Sequence, residues 1–171
     1  MRATDPVRIA RLAAELRDEL AAVRLVVGEG AQALQGAASS PPKTLEIRGM
    51  AGILHDYYTG VERIFERVAN ELEGGTPSGP STHRDLLRGA CRTLPEIRPP
   101  VIQTGTARLL DEYLRFRHVF RNIYGYELEW ARIAGLLERL PASSAALSTD
   151  LAVFFEFLDA LATPTAGVKG T

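Results

Sequence analysis

Apolar residues recur along most of this chain at steps of three and four. From about Asp5 to Gly28, the residues Ile9, Leu12, Leu16, Leu20, Val23 and Val27 form a stripe opposite Arg and Glu, which predicts an amphipathic helix. Asp5 before Pro6 reads as an N-cap followed by proline at the first helical position. A looser stretch, GEGAQALQGAASSPPK, comes next; its first half is compatible with more helix, and SSPP breaks it. Thr44 to Leu72 carries the clearest pattern, with Met50, Ile53, Leu54, Tyr57, Val61, Ile64, Phe65, Val68 and Leu72 in a 3.6-residue period that Glu73-Gly74-Gly75 stops. A short helix is predicted from His83 to about Arg92, capped by Ser81 or Thr82, ahead of the proline-punctuated connector LPEIRPPVI. A fourth helix starts near Thr104 or Thr106 and runs through LLDEYLRFRHVFRNIYG. Gly125 marks a kink or an end, and YELEWARIAGLLERL continues helically to Pro141. The last helix runs from Ser144 or Ser148 to Leu161. No period-2 alternation persists and no repeat is visible. The pattern predicts an all-α bundle of about five helices, one domain over residues 1–163 and a disordered tail over 164–171.

Composition narrows the function without naming it. The chain has 171 residues, enough for one domain with a real core. No apolar run approaches the roughly 20 residues that span a bilayer, and the charged N-terminus lacks the apolar region of a signal peptide. The expectation is a cytoplasmic protein with no membrane role. Cys91 stands alone, which excludes an intramolecular disulfide and a multi-cysteine zinc site. His55, His83 and His118 lie far apart without paired ligand spacing, so neither a metal nor a cofactor is expected. With 20 basic and 21 acidic residues the formal net charge is −1, and any contact with a polyanion must rely on a local cluster.

Such a cluster lies in the fourth helical segment. On a wheel of residues 109–124, Leu109, Phe116, Val119, Phe120 and Ile123 fall together as the predicted core stripe. Arg117, His118, Arg121 and Asn122 fall opposite, and Tyr124 sits at the border beside Arg117. The wheel alone is also that of a solvated arginine-rich face. Its functional reading is RNA backbone cleavage: arginine grips a phosphate bidentately and stabilises the transition state. A histidine moves the 2′-hydroxyl or leaving-group proton without a metal, and an aromatic side chain stacks a base. On this wheel Arg117 lies off the core, so its removal is expected to leave the fold intact.

The stretch RHVFRNIY at 117–124 resembles the signature of the HEPN superfamily, an arginine followed by a polar residue with a histidine five positions after the arginine; in HepT toxins it reads Arg-x4-His-x-Tyr. LLDEYLRFRHVFRNIYGYELEW, HDYYTGVERIFERVANELEGGTPSG, THRDLL and RPPVI are similar to a bacterial HepT-like family, over about residues 45–140. The resemblance implies a HEPN-like up-and-down bundle and a metal-independent endoribonuclease toxin of a toxin–antitoxin system. It also implies a homodimer whose two motifs meet in a cleft, and a nucleotidyltransferase antitoxin of the MNT type that AMPylates the motif tyrosine. Carried over, Arg117 binds the RNA phosphate with Arg121 beside it, His118 is the polar residue, and Tyr124 is the AMPylation candidate. The motif histidine is replaced by Asn122, whose amide cannot act as a general acid or base. Either His118, one turn back, transfers the proton, or the chain is an inactive HEPN module that binds a nucleotidyltransferase or RNA without cutting it.

The remaining polar residues carry weaker signals. His55 and Asp56 read as surface residues or a local pair, with Asp56 able to lend an acidic group to the cleft. His83 reads as an organiser of its helix start, or with Arg84 and Asp85 as a partner contact. Cys91 reads as a small core filler and Trp130 as a packing or dimer residue.

Overall fold

A computed structural model describes residues 5–122 and 128–163. Among them five helices follow in order: α1 (Pro6–Ser39), α2 (Thr44–Leu72), α3 (Thr82–Ala90), α4 (Thr104–Phe120) and α5 (Trp130–Ala162). No strand accompanies them; Leu94 and Arg98 form one isolated antiparallel bridge in the α3–α4 connector. The all-α expectation holds.

The long helix α1 begins as its sequence dictates, with Asp5 Oδ1 accepting from the Val7 amide at 3.0 Å. It buries Ile9, Leu12, Leu16, Leu20 and Val23, and continues past Gly28 to Ser39. Gly30 permits this extension: it is buried against α5, where a Cβ would lie 2.9 Å from Leu140 Cδ2. Ser40 then turns extended ahead of Pro41. Helix α2 has the expected bounds. Its end is closed by the amides of Glu73 and Gly75, which both donate to the Ala69 carbonyl at 3.0 and 3.1 Å, with Gly74 at φ 87°.

Helix α2 is the axis of the bundle, because it alone packs against all four other helices. Burial on more than one face brings polar groups inside: Tyr57 Oη and Ser143 Oγ of α5 lie 2.9 Å apart, and burial pushes the Tyr57 phenol up to about 12. Between α3 and α4, Arg98 is 1% exposed. It donates to Glu73 Oε1 and to the carbonyls of Arg92, Pro99 and Gly89, which locks the connector down.

The break between the last two helices differs from expectation. Helix α4 stops at Phe120, and α5 runs unbroken through Pro141. An interior proline costs about 3 kcal/mol or more through a lost hydrogen bond and a ring clash. Here the proline is exposed, while Leu136, Leu137, Leu140, Ser143, Ser144 and Leu147 around it are buried. Burial of that face along α1 outweighs the local defect.

The close approach of α1 and α2 at Gly60 yields a stability prediction. A Cβ there would lie 2.6 Å from Val23 Cγ2, and a β-branched valine has no spare rotamer in a helix. Gly60→Ala is expected to be net destabilising in urea unfolding, since overpacking of about 1–3 kcal/mol exceeds the helix propensity gained, about 1 kcal/mol. Gly28→Ala, with open space around the new Cβ, is expected to stabilise by about 0.5–1 kcal/mol.

Candidate functional site

The side of α4 turned to the core is marked by Thr106, Leu110, Tyr113, Leu114 and Phe116, all buried. Leu109 is 37% exposed and does not belong to it. Residues 106, 110, 113, 117 and 120 follow one another at steps of three and four, so Arg117 lies on the inward stripe rather than opposite it. The wheel misplaced it by weighting apolar identity alone, whereas two positions of this stripe are the polar Thr106 and Arg117.

What Arg117 meets is an acid on α2. Its Nη2 lies 3.1 Å from Glu62 Oε2, and the two side chains are only 12% and 5% exposed. Its Nε donates to Thr59 Oγ1 at 3.4 Å, and that hydroxyl donates to the His55 carbonyl at 2.9 Å. The other carboxylate oxygen, Oε1, is in short contact with Nδ1 of His83 on α3. One buried carboxylate therefore ties together three helices through an arginine and a histidine. Glu66, one turn further along α2, has its carboxyl raised by burial and then by the charge of Glu62.

His55 closes the other end of this face. Its ring stacks at a tilt on Phe120, centroids 5.5 Å apart, and its Nδ1 is buried without a hydrogen-bond partner among the described residues. Burial first, and then the Arg117 charge, hold this imidazole below its ordinary value. Asp56 is exposed, and its charge opposes part of that lowering at His55.

Outside the Arg117–Glu62 pair lies an open groove. His83 and Arg84 form one wall, and Arg117, His118, Arg121 and Asn122 at the end of α4 form the other. It adjoins a second depression in which Arg84, Arg88 and Arg92 face Arg108 and Arg115, with Asp111 and Glu112 between them. His118, Arg121 and Asn122 are exposed. Asn122 Nδ2 donates to the His118 carbonyl at 2.7 Å, so the amide caps its own helix.

A family model described as HepT-like protein matches residues 49–158. The chain belongs to the HepT-like protein family. The match takes in nearly all of α2 and α5 together with α3 and α4, the two helices that line the groove. No curated protein and no solved structure matched.

In this HepT-like chain the groove brings together four of the residues singled out in the sequence: Arg117, His118, Arg121 and Asn122. Tyr124 lies outside the described residues. The expectation that Arg117 stands off the core is overturned, because truncating it would strip a buried carboxylate of its main counter-charge. Glu62 went unrecognised in the sequence, although His55, Thr59, Glu62 and Glu66 fall at helical spacing along one face of α2. His83 does more than organise its helix start, since it reaches across to Glu62. Cys91 is half-buried, with its thiol raised by burial and directed at the Leu87 carbonyl, as befits a filler. Trp130 is half-buried against the core at the start of α5. No described helix is long and apolar enough to cross a membrane, and no described cluster of three or more acidic, histidine or cysteine side chains is arranged to hold a metal.

The half-buried histidine makes stability depend on pH in a definite direction. Because the folded state holds His55 below 6.5, the unfolded chain binds its proton more readily. The stability this neutral ring contributes is complete above that value and is lost as pH falls through it. Melting temperature is expected to drop less between about pH 7 and pH 5 in His55→Phe than in the wild type. Parallel slopes in the two proteins would contradict the assignment.

Proposed function

We propose that this HepT-like protein is a metal-independent endoribonuclease, the toxin of a toxin–antitoxin pair. The observation that carries the reading is the groove, where Arg117, Arg121 and His118 line a surface that continues into an arginine-rich depression on a chain of net charge −1. A concentrated patch of guanidinium groups on a near-neutral protein suits a phosphodiester backbone. In this reading Arg117 and Arg121 bind the scissile phosphate, with the Arg117 donors not used by Glu62 facing the RNA. His118 and Asn122 complete the site around the reacting ribose.

Family membership supports the rest of the proposal. The protein works in the cytoplasm as a single domain over residues 1–163 and pairs with itself so that two grooves face each other. A nucleotidyltransferase antitoxin of the MNT type silences it by AMPylating Tyr124. A second reading has an observation of its own: Asn122 spends its amide on the His118 carbonyl, and Glu62 already occupies part of Arg117. Under that reading the chain is a non-catalytic HEPN module that holds RNA or a nucleotidyltransferase partner.

Cleavage of a labelled RNA in EDTA separates the two. The toxin reading expects the wild type to cut. It expects Arg117→Lys, which keeps the charge beside Glu62 but loses the planar fork, to be slower by about 100-fold or more. Asn122→His is expected to match or exceed the wild type. Salt-sensitive RNA binding with no cutting by wild type, and cutting by Asn122→His, would establish the non-catalytic module instead.

A further inference from the structure

The groove poses a chemical problem: the position where the family signature places a proton-transfer group holds Asn122, whose amide cannot act as a general acid or base and is engaged by its own helix. We infer that His83 is the general base of this chain, positioned by Glu62 and placed by the fold, rather than by the signature, on the wall of the groove facing Asn122. The inference rests on the ribonuclease reading above.

Three observations carry it. His83 Nδ1 is turned onto Glu62 Oε1, which fixes the ring and leaves Nε2 as the nitrogen free to react. A base held by an acid that is itself buried is the arrangement that proton transfer requires. The imidazole is also accessible: its side chain is 42% exposed and lines the groove with Arg117, His118 and Arg121. Arg117 sits on the second oxygen of the same carboxylate, so phosphate-binding and proton-accepting groups flank one anchor. His118, the alternative, is exposed, and its ring has no hydrogen-bond partner among the described residues to set its orientation. The charged groups around His83 are Glu62 and Glu66 on α2, Arg117 on α4, and Arg84 and Asp85 on its own helix.

The step balances without a metal or a redox partner. His83 Nε2 takes the proton of a ribose 2′-hydroxyl, and the 2′-oxygen forms a bond to phosphorus. The bond from phosphorus to the 5′-oxygen breaks, and that oxygen takes a proton from water at the open side of the groove. The products are a 2′,3′-cyclic phosphate and a 5′-hydroxyl, and His83 gives its proton back to solvent.

The test is cleavage of a labelled RNA in EDTA by the full chain, comparing wild type, His83→Ala and His118→Ala with and without added imidazole. RNA binding and melting temperature are followed in parallel. The expected result is a loss of about 100-fold or more in His83→Ala, with RNA binding retained and cutting restored by imidazole. The acid limb of the pH–rate profile is expected to vanish in the same variant. Wild-type cutting that survives in His83→Ala, or that disappears in His118→Ala alone, would overturn the role of His83 and leave the ribonuclease reading standing. Loss without imidazole rescue, accompanied by weakened binding or a lowered melting temperature, would show a structural histidine and overturn it too. No cutting by the wild type would overturn both readings at once.

Discussion

A carboxylate withdrawn from water costs several kcal/mol unless charges and hydrogen bonds inside the protein replace its hydration. Glu62 is such a group, and two helices answer it, α4 through Arg117 and α3 through His83. The geometry of the groove follows from that pairing. Arg117 cannot swing into solvent without uncovering the acid, so its guanidinium is held at the floor of the groove, while His83 is drawn across from a helix of nine residues. Arg98 does the complementary work behind α3, tying Glu73 to the connector so that the short helix presents His83 and Arg84 from a fixed wall.

The electrostatics of the groove run against the backbone and are corrected by side chains. The groove lies at the C-terminal end of α4, where the helix dipole is negative and repels phosphate. Arg117 in the last turn and Arg121 just after it oppose that sign. Arginines of α3 add to it from the opposite wall, Asp111 and Glu112 offset part of the total, and the chain keeps a net charge of −1 because most of its acids line neither depression. Many of those acids bind the long helices to one another at the surface, as in Arg67–Glu15 and Arg17–Asp159, contacts worth little individually.

The helices were legible where local chemistry and burial agree. Helix α2 carries its period through several turns and ends in two glycines, and Asp5-Pro6 announces α1. Pro141 misled because its cost is local, whereas the burial of Leu137, Leu140 and Leu147 against α1 that overrides it is a property of the packed pair. The motif at 117–122 was legible as a string, and with it the family. The direction of Arg117 was not, because a wheel cannot show that a facing helix offers a buried acid. Glu62 was hidden for the same reason: set between Val61 and Arg63, it reads as one more charge on a solvated edge until α3 and α4 close over it.

The central claim is that Glu62 and Arg117 depend on each other inside the fold, and a double-mutant cycle measures this directly. Urea unfolding of wild type, Glu62→Gln, Arg117→Met and the double variant gives the coupling energy without reference to any activity. The account predicts that Arg117→Met is the most damaging single change. It also predicts that the double variant recovers part of the loss, with a coupling of about 1–3 kcal/mol. Two small single effects that simply add would contradict it, and would return Arg117 to the solvated face on which the helical wheel first placed it.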